Sequence, residues 1–282
     1  MKQSLVGARN KLTDAQFRKL SSYIYGNFGI KLPPIKKVLL EGRLQKRLKA
    51  TNKENFKDYL EYVFSDEGQN EVIHMIDQVS TNKTDFFREA DHFDFMTKHV
   101  LPEFVKRDDR EQLKVWSSAA SSGEEIYTIG IVIEEFNLIN KTNIDYSILG
   151  TDISVEILKK AINAVYTVDR VMNLPMHYKH KYLLKSKDPA NKTVRVIPQI
   201  RKKTWYKRLN LIDRTYDVPD NLDIIFCRNV LIYFDKQTQE DVVRKQAEKL
   251  RKGGYFFLGH AESILGMDLP LKQVKPTVYR KI

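Results

Sequence analysis

Residues Asp223 to Asp235 read DIIFCRNVLIYFD, an apolar run that breaks into Cys-Arg-Asn and then resumes as an apolar, helix-compatible stretch. A strand that is apolar at every residue must be covered on both faces, as in a parallel sheet, and such sheets bind ligands at the carboxyl ends of their strands. Arg228 and Asn229 are therefore expected at that edge, with a plain polar turn as the alternative. The 282 residues leave room for one large domain and a smaller one. No apolar run approaches the roughly 18 residues of a membrane helix, and MKQSLVGARNKL lacks the apolar core of a signal peptide. Cys227 is the sole cysteine, which excludes an internal disulfide, a multi-cysteine zinc site and a redox pair. A cytoplasmic protein without direct membrane insertion is the expectation.

A formal charge of +12 favours an acidic partner, and charge alone leaves nucleic acid, anionic lipid, an acidic protein or a merely solvated surface open. Thr13 and Gln16 have capping-box spacing, and Phe17, Leu20, Ile24 and Phe28 follow at helical intervals until Gly26 and Gly29 break the pattern. Pro33 and Pro34 open a second segment, where Leu40, Leu44 and Leu48 form an apolar stripe beside Lys36, Arg43, Lys46 and Arg47. Asn55 is placed to cap a third helix carrying Phe56, Tyr59, Leu60 and Val63, and Val72, Ile73, Ile76 and Val79 mark a fourth. Residues 1–75 thus read as a small all-helical domain.

After about residue 80, apolar runs alternate with helical periods, the pattern of a parallel sheet with crossover helices. Strands are expected at 113–117, 146–151, 222–227 and 255–259, with an edge strand at 274–279. Helices are expected at 125–136, 155–165 and 238–250, the last stopped by Gly253-Gly254. Residues 178–209 alternate around polar turns without a long helix, which suggests an inserted antiparallel ribbon. Residues 76–282 then form one α/β domain.

Val115-Trp116 runs into SSAASSGEE, small residues that let backbone approach a ligand just ahead of a helix N-terminus. Gly123 is the lone glycine, so the three-glycine dinucleotide fingerprint is missing, and Glu124 and Glu125 would repel a phosphate. They suit a cationic ligand, or else they only favour the helix dipole. Asp152 closes the strand SILGTD 27 residues after Glu125, near the spacing at which an acid accepts ribose hydroxyls, although a cap at Asp152 or Ser154 is the local alternative. The implied ligand is a positively charged nucleoside without pyrophosphate. S-adenosylmethionine has that character, with its ribose for Asp152, its amino group for Glu125 and its sulfonium near Asn229.

Five segments, STNKTDFFREADHF at Ser80–Phe93, WSSAASSGEEIY at Trp116–Tyr127, GTDI at Gly150–Ile153, DIIFCRNVLIYFDKQTQED at Asp223–Asp241 and GHAES at Gly259–Ser263, together resemble the ordered motifs of the CheR-type chemotaxis receptor methyltransferases. The resemblance implies a class I (Rossmann-like) methyltransferase sheet, a small N-terminal all-helical domain and an inserted antiparallel β ribbon. It implies methyl transfer from S-adenosylmethionine to receptor glutamates, with S-adenosylhomocysteine as product. Carried over by motif position, the cofactor residues are Asn82, Thr84, Arg88, Glu125, Asp152, Asn210, Leu211, Arg228 and Asn229. Arg88 and Tyr233 would orient the substrate carboxylate. Arg43, Lys46 and Arg47 would dock against the chemoreceptor's cytoplasmic helical bundle, and a monomer that binds no nucleic acid or metal is expected. His260, Glu262 and Cys227 read as packing residues, because carboxylate methylation needs no proton transfer. A nucleic-acid methyltransferase would share the cofactor site, but the Asp/Asn-Pro-Pro-aromatic motif of amino-methylating DNA enzymes is absent at Asn229–Tyr233. A catalytically idle regulator is the third reading. The turn from Leu184 to Asn191 lacks the glycine of family members that bind a receptor tether peptide, a departure from the family pattern that leaves tether binding open.

Overall fold

The computed structural model describes residues 11–107, 111–188 and 190–282. Most of the amino-terminal stretch read above for a signal peptide, and Pro189 of the ribbon turn, lie outside the described residues. No described helix is long and apolar enough to cross a membrane. The chain forms two compact units, one of residues up to Thr81 together with Tyr233–Asp235, the other of Asn82–Ile232 and Lys236–Ile282.

The first unit is helical, with α1 (Asp14–Phe28), α2 (Lys37–Ala50), α3 (Phe56–Val63) and α4 (Gln69–Val79). Its capping box forms as the sequence predicts: the Gln16 N–H donates to Thr13 Oγ1 at 3.2 Å and the Thr13 N–H to Gln16 Oε1 at 2.9 Å. The helix runs through Gly26 and stops at Gly29, whose φ of 70° is left-handed. Asn55 caps α3 by accepting the Asp58 N–H at 3.0 Å. Leu20, Ile24, Leu44, Tyr59, Met75 and Ile76 are fully buried. Met75 occupies the core position that the spacing had suggested for Ile73, which is only half-buried. In the turn between α3 and α4 only glycine fits at 68, because a Cβ there would stand 1.9 Å from the Tyr62 carbonyl oxygen.

The second unit carries β1 (Leu113–Ser117), α5 (Glu124–Asn140), β2 (Tyr146–Asp152), α6 (Val155–Asn163), β3 (Val165–Thr167), α7 (Met176–Tyr182), β4 (Leu183–Lys185), β5 (Thr193–Val196), β6 (Thr204–Arg208), β7 (Leu222–Cys227), α8 (Lys236–Lys249), β8 (Leu250–Leu258), β9 (Leu271–Lys275) and β10 (Val278–Lys281). Seven strands form a mixed sheet in the order β6-β2-β1-β7-β8-β10-β9, parallel from β6 to β8 and antiparallel at the β10 and β9 edge. β7 is buried at every residue, as its apolar run from Ile224 to Cys227 requires, and the buried Asp223 near its start is paired to Arg107 at 2.5 Å and Arg251 at 2.6 Å. Phe226 and Phe257 are fully buried and stack with ring centroids 4.5 Å apart. Burying each ring contributes about 1.5–3 kcal/mol.

Three expectations are corrected. Gly253-Gly254 does not stop a helix: α8 ends at Lys249 and both glycines lie inside β8, where the pairing with β7 shifts register and Gly253 takes a φ of 75°. Glycine there permits a bulge. The edge strand at 274–279 is two antiparallel strands turning at Thr277, which has a φ of 61°. The inserted ribbon is a separate antiparallel sheet in the order β3-β5-β4, and the segment 204–207 is not part of it. That segment lies in β6, which pairs in parallel with β2.

Candidate active site

The chain leaves β1 for β2 on one side and returns to β7 on the other, so the carboxyl ends of β1 and β7 flank the point where the winding reverses. Arg228 is at that point. Its side chain is 2% exposed and donates Nη1 to Glu125 at 2.9 Å and Nη2 to Glu89 at 3.0 Å. Its Nη2 also donates to the Arg88 carbonyl, and its guanidinium lies 5.5 Å from the Phe93 ring centroid. Glu125 accepts from the Ser117 hydroxyl at 2.7 Å. Burial pushes its carboxyl up against the pull of Arg228 and Ser117. Burial also opposes the charge on Glu89, but Arg228 and Asn229 outweigh it and hold that carboxyl below its ordinary range.

Asn229, with a φ of 58°, donates Nδ2 to Glu89 at 3.2 Å. The loop after β7 is pinned by Glu262, which accepts the N–H groups of Asn229, Val230, Leu231 and Gly259 at 2.7–2.8 Å. Glycine at 259 leaves room for this carboxylate, because a Cβ there would stand 2.9 Å from it and 2.5 Å from the Asn229 amide. Glu262 thus does more than pack a loop: it sets the backbone on which Arg228 and Asn229 stand. Sequence reading did not assign Glu89 a role, although it lies in the FFRE segment beside Arg88.

Asp152 accepts the backbone N–H of Ser121 at 2.9 Å and of Ser154 at 3.0 Å. The local alternative is realised next door, where Ser154 Oγ caps α6 by accepting the Ile157 N–H at 3.2 Å. The Asn82 carbonyl accepts the Ser121 hydroxyl at 3.0 Å, which brings Asn82 to the small-residue turn. The Thr84 carbonyl accepts from Arg170 at 2.7 Å, and Arg170 is also ion-paired to buried Glu124. Of the two adjacent glutamates, Glu124 is therefore held by a structural arginine and Glu125 faces the strand edge. Arg88 is half-buried and donates Nη1 to the Lys83 carbonyl at 3.0 Å. Asn210 Oδ1 accepts the Ile212 N–H at 3.3 Å, and the buried Leu211 offers its carbonyl to Tyr216. Tyr233 belongs to the helical unit, where its carbonyl accepts the Lys31 N–H at 3.0 Å.

Of the basic residues expected to dock a partner, Arg47 clasps Glu71 through Nε at 2.8 Å and Nη2 at 2.6 Å, while the Tyr59 hydroxyl donates to the same carboxylate at 2.9 Å. Arg43 donates to the Val79 carbonyl at 2.7 Å, at the end of α4. Both arginines hold the helices together. Lys46 is exposed.

Ligand atoms of Glu89, His92 and His260 lie within 4.8 Å of one another. A cation is disfavoured there, because Arg228 and Asn229 occupy the Glu89 carboxylate. Burial and then the nearby Arg228 charge lower the His92 imidazole to about 4, so it is neutral at pH 7. Cys227 is no nucleophile, since burial pushes its thiol well above the ordinary range.

The acceptor groups at the strand edge fit S-adenosylmethionine: carboxylates at Glu125 and Asp152 suited to an ammonium and a ribose, beside a turn of small side chains. Residues 82–280 match the CheR methyltransferase SAM binding domain, and residues 15–80 match the CheR methyltransferase all-alpha domain. The chain is similar to the chemotaxis protein methyltransferase of Borreliella burgdorferi, at 37% identity over 96% of this chain and 95% of that protein. It is also similar to the chemotaxis protein methyltransferases of Salmonella typhimurium and Escherichia coli, at 33% identity over 96% of this chain and 91% and 92% of those proteins. The two matched domains succeed each other as the helical and α/β units do, and together they span nearly the whole chain. With a strand-edge site suited to a sulfonium nucleoside, this chain belongs to the CheR family of methyltransferases and uses S-adenosylmethionine as its cofactor.

Proposed function

We propose that the enzyme methylates glutamate side chains of chemoreceptors in the cytoplasm, as a monomer, forming glutamyl methyl esters and S-adenosylhomocysteine. The observation that carries this reading is the half-buried Arg88, whose backbone carbonyl meets Arg228 at the strand edge and whose guanidinium suits an acceptor carboxylate, a group that can react without a general base. A carboxylate with a pKa of about 4.3 arrives already ionised and needs none, whereas an amine or hydroxyl acceptor would require one. S-adenosylmethionine, when bound, supplies an electrophilic methyl group on a sulfonium. The protein's contribution is then alignment and exclusion of water from the attacking oxygen.

Arg88 is the residue we assign to orient that carboxylate. Arg88→Ala is expected to lower kcat about 100-fold, with little recovery in Arg88→Lys, whose ammonium lacks the planar fork. Near wild-type turnover in Arg88→Ala would remove Arg88 from the mechanism.

Docking is assigned to the exposed face around Lys46. Lys46→Glu is expected to raise KM for the receptor roughly three- to tenfold at low salt, with the difference shrinking at high ionic strength and cofactor affinity unchanged. An unmoved KM at every salt concentration sinks this role. The deciding experiment for the function is methyl transfer from labelled S-adenosylmethionine to a purified chemoreceptor cytoplasmic domain, read as base-labile methanol. Labile label should vanish when receptor glutamates become alanine, and stable label would point to another acceptor atom.

A further inference from the structure

Arg228 is a single guanidinium set between two carboxylates, Glu125 at 2.9 Å and Glu89 at 3.0 Å. Glu89 also accepts from Asn229 at 3.2 Å, so its carboxylate is tied to both residues of the strand-end pair. It reaches them from a φ of 56°, a left-handed conformation uncommon for glutamate, in a stretch where Phe87 has a φ of 54°. In this conformation the Glu89 carboxylate stands beside Arg228. Glu89 and Glu125 share the one guanidinium, so this three-residue cluster holds one more carboxylate than it has cations. Nearby His92 is neutral at pH 7 and adds no positive charge.

We propose that Glu89 is a positioning residue that makes the cofactor site charge-selective, holding Arg228 paired so that the extra carboxylate raises the affinity for sulfonium S-adenosylmethionine relative to S-adenosylhomocysteine, whose thioether carries no charge. The two molecules share adenine, ribose and amino-acid ends and differ at sulfur by one methyl group and one positive charge. A change that alters only the shape of the loop moves both affinities together. Removing a unit charge acts equally on the ammonium and carboxylate that both ligands share, so the ratio of affinities reports the sulfonium, and at an effective dielectric of about 20–40 and a separation on the order of 10 Å it shifts roughly four- to fifteenfold. This inference goes beyond the acceptor assignment and needs no acceptor, so the two stand or fall separately.

The test is calorimetric titration of the full-length wild type, Glu89→Gln, Glu89→Asp and Glu89→Gly with S-adenosylmethionine and with S-adenosylhomocysteine. Glu89→Gln should weaken S-adenosylmethionine roughly four- to fifteenfold more than S-adenosylhomocysteine, and Glu89→Asp, which keeps the charge, should restore most of the wild-type ratio. Glu89→Gly removes the same charge while relieving the left-handed backbone, and it should shift the ratio as glutamine does even if Glu89→Gln folds poorly. Equal losses for the two ligands, or an unchanged ratio in the glycine variant, would overturn the proposal and leave Glu89 as a loop brace.

Discussion

Replacing Arg228 by methionine is expected to destabilise the α/β unit by about 3–5 kcal/mol, because it strands two carboxylates, each only 12% exposed, that now share one guanidinium. The methionine fills much of the arginine stem but offers no donor to Glu89, Glu125 or the Arg88 carbonyl. Urea unfolding followed by tryptophan fluorescence reads this unit selectively, since both tryptophans, Trp116 and Trp205, lie in it. The sharper outcome is non-additivity. Arg228→Met combined with Glu89→Gln should be less destabilised than the sum of the single changes by about 1–3 kcal/mol, because the second substitution removes a charge the first left unpaired. Simple additivity would mean that Arg228 and Glu89 do not act as a pair, and the charge-selection proposal would lose its structural basis.

The second large effect is expected at Glu262, where a nearly isosteric change should be almost as harmful as truncation. Each carboxylate oxygen accepts two backbone N–H groups, Oε1 from Val230 and Leu231 and Oε2 from Asn229 and Gly259. A glutamine must place its NH2 against two of these donors, with no acceptor left for them. Glu262→Gln is therefore expected to cost about 2–4 kcal/mol, with Glu262→Ala no more than about 1 kcal/mol worse. S-adenosylmethionine affinity should fall in both, since Arg228 and Asn229 stand on the loop that loses its anchor. A glutamine variant with wild-type stability and wild-type affinity would show that the four N–H groups find other partners.

How much of this was legible beforehand depends on how local each signal is. The strand at Leu222–Cys227 falls where its apolar run predicts, and Arg228-Asn229 stands at its carboxyl end. The capping box at Thr13 and the caps at Asn55 and Ser154 were legible for the same reason, since each joins residues three apart. The segment 204–207 went astray because alternation looks alike in a ribbon and in a parallel edge strand. Its partner, β2, is set by the sheet and not by the pattern. The Gly253-Gly254 pair was ambiguous likewise, being as good a bulge as a helix stop.

The basic stripe on α2 shows the same limit in electrostatic form. Spacing put Arg43, Lys46 and Arg47 near one another, but whether each charge meets solvent or a partner depended on α4, which supplies Glu71 and a row of terminal carbonyls. The sequence by itself determined the two-part architecture, the strand edge and the residue types suited to a sulfonium nucleoside, because periodicity and motif order are local and additive. Only the tertiary structure decided which charges are paired: Glu89 with Arg228 across 139 residues, Glu262 with a loop some 30 residues away, and Arg47 with Glu71. Ion pairs and anchors of that range leave no period in a chain; they exist only once packing has brought the groups within a few ångströms of one another.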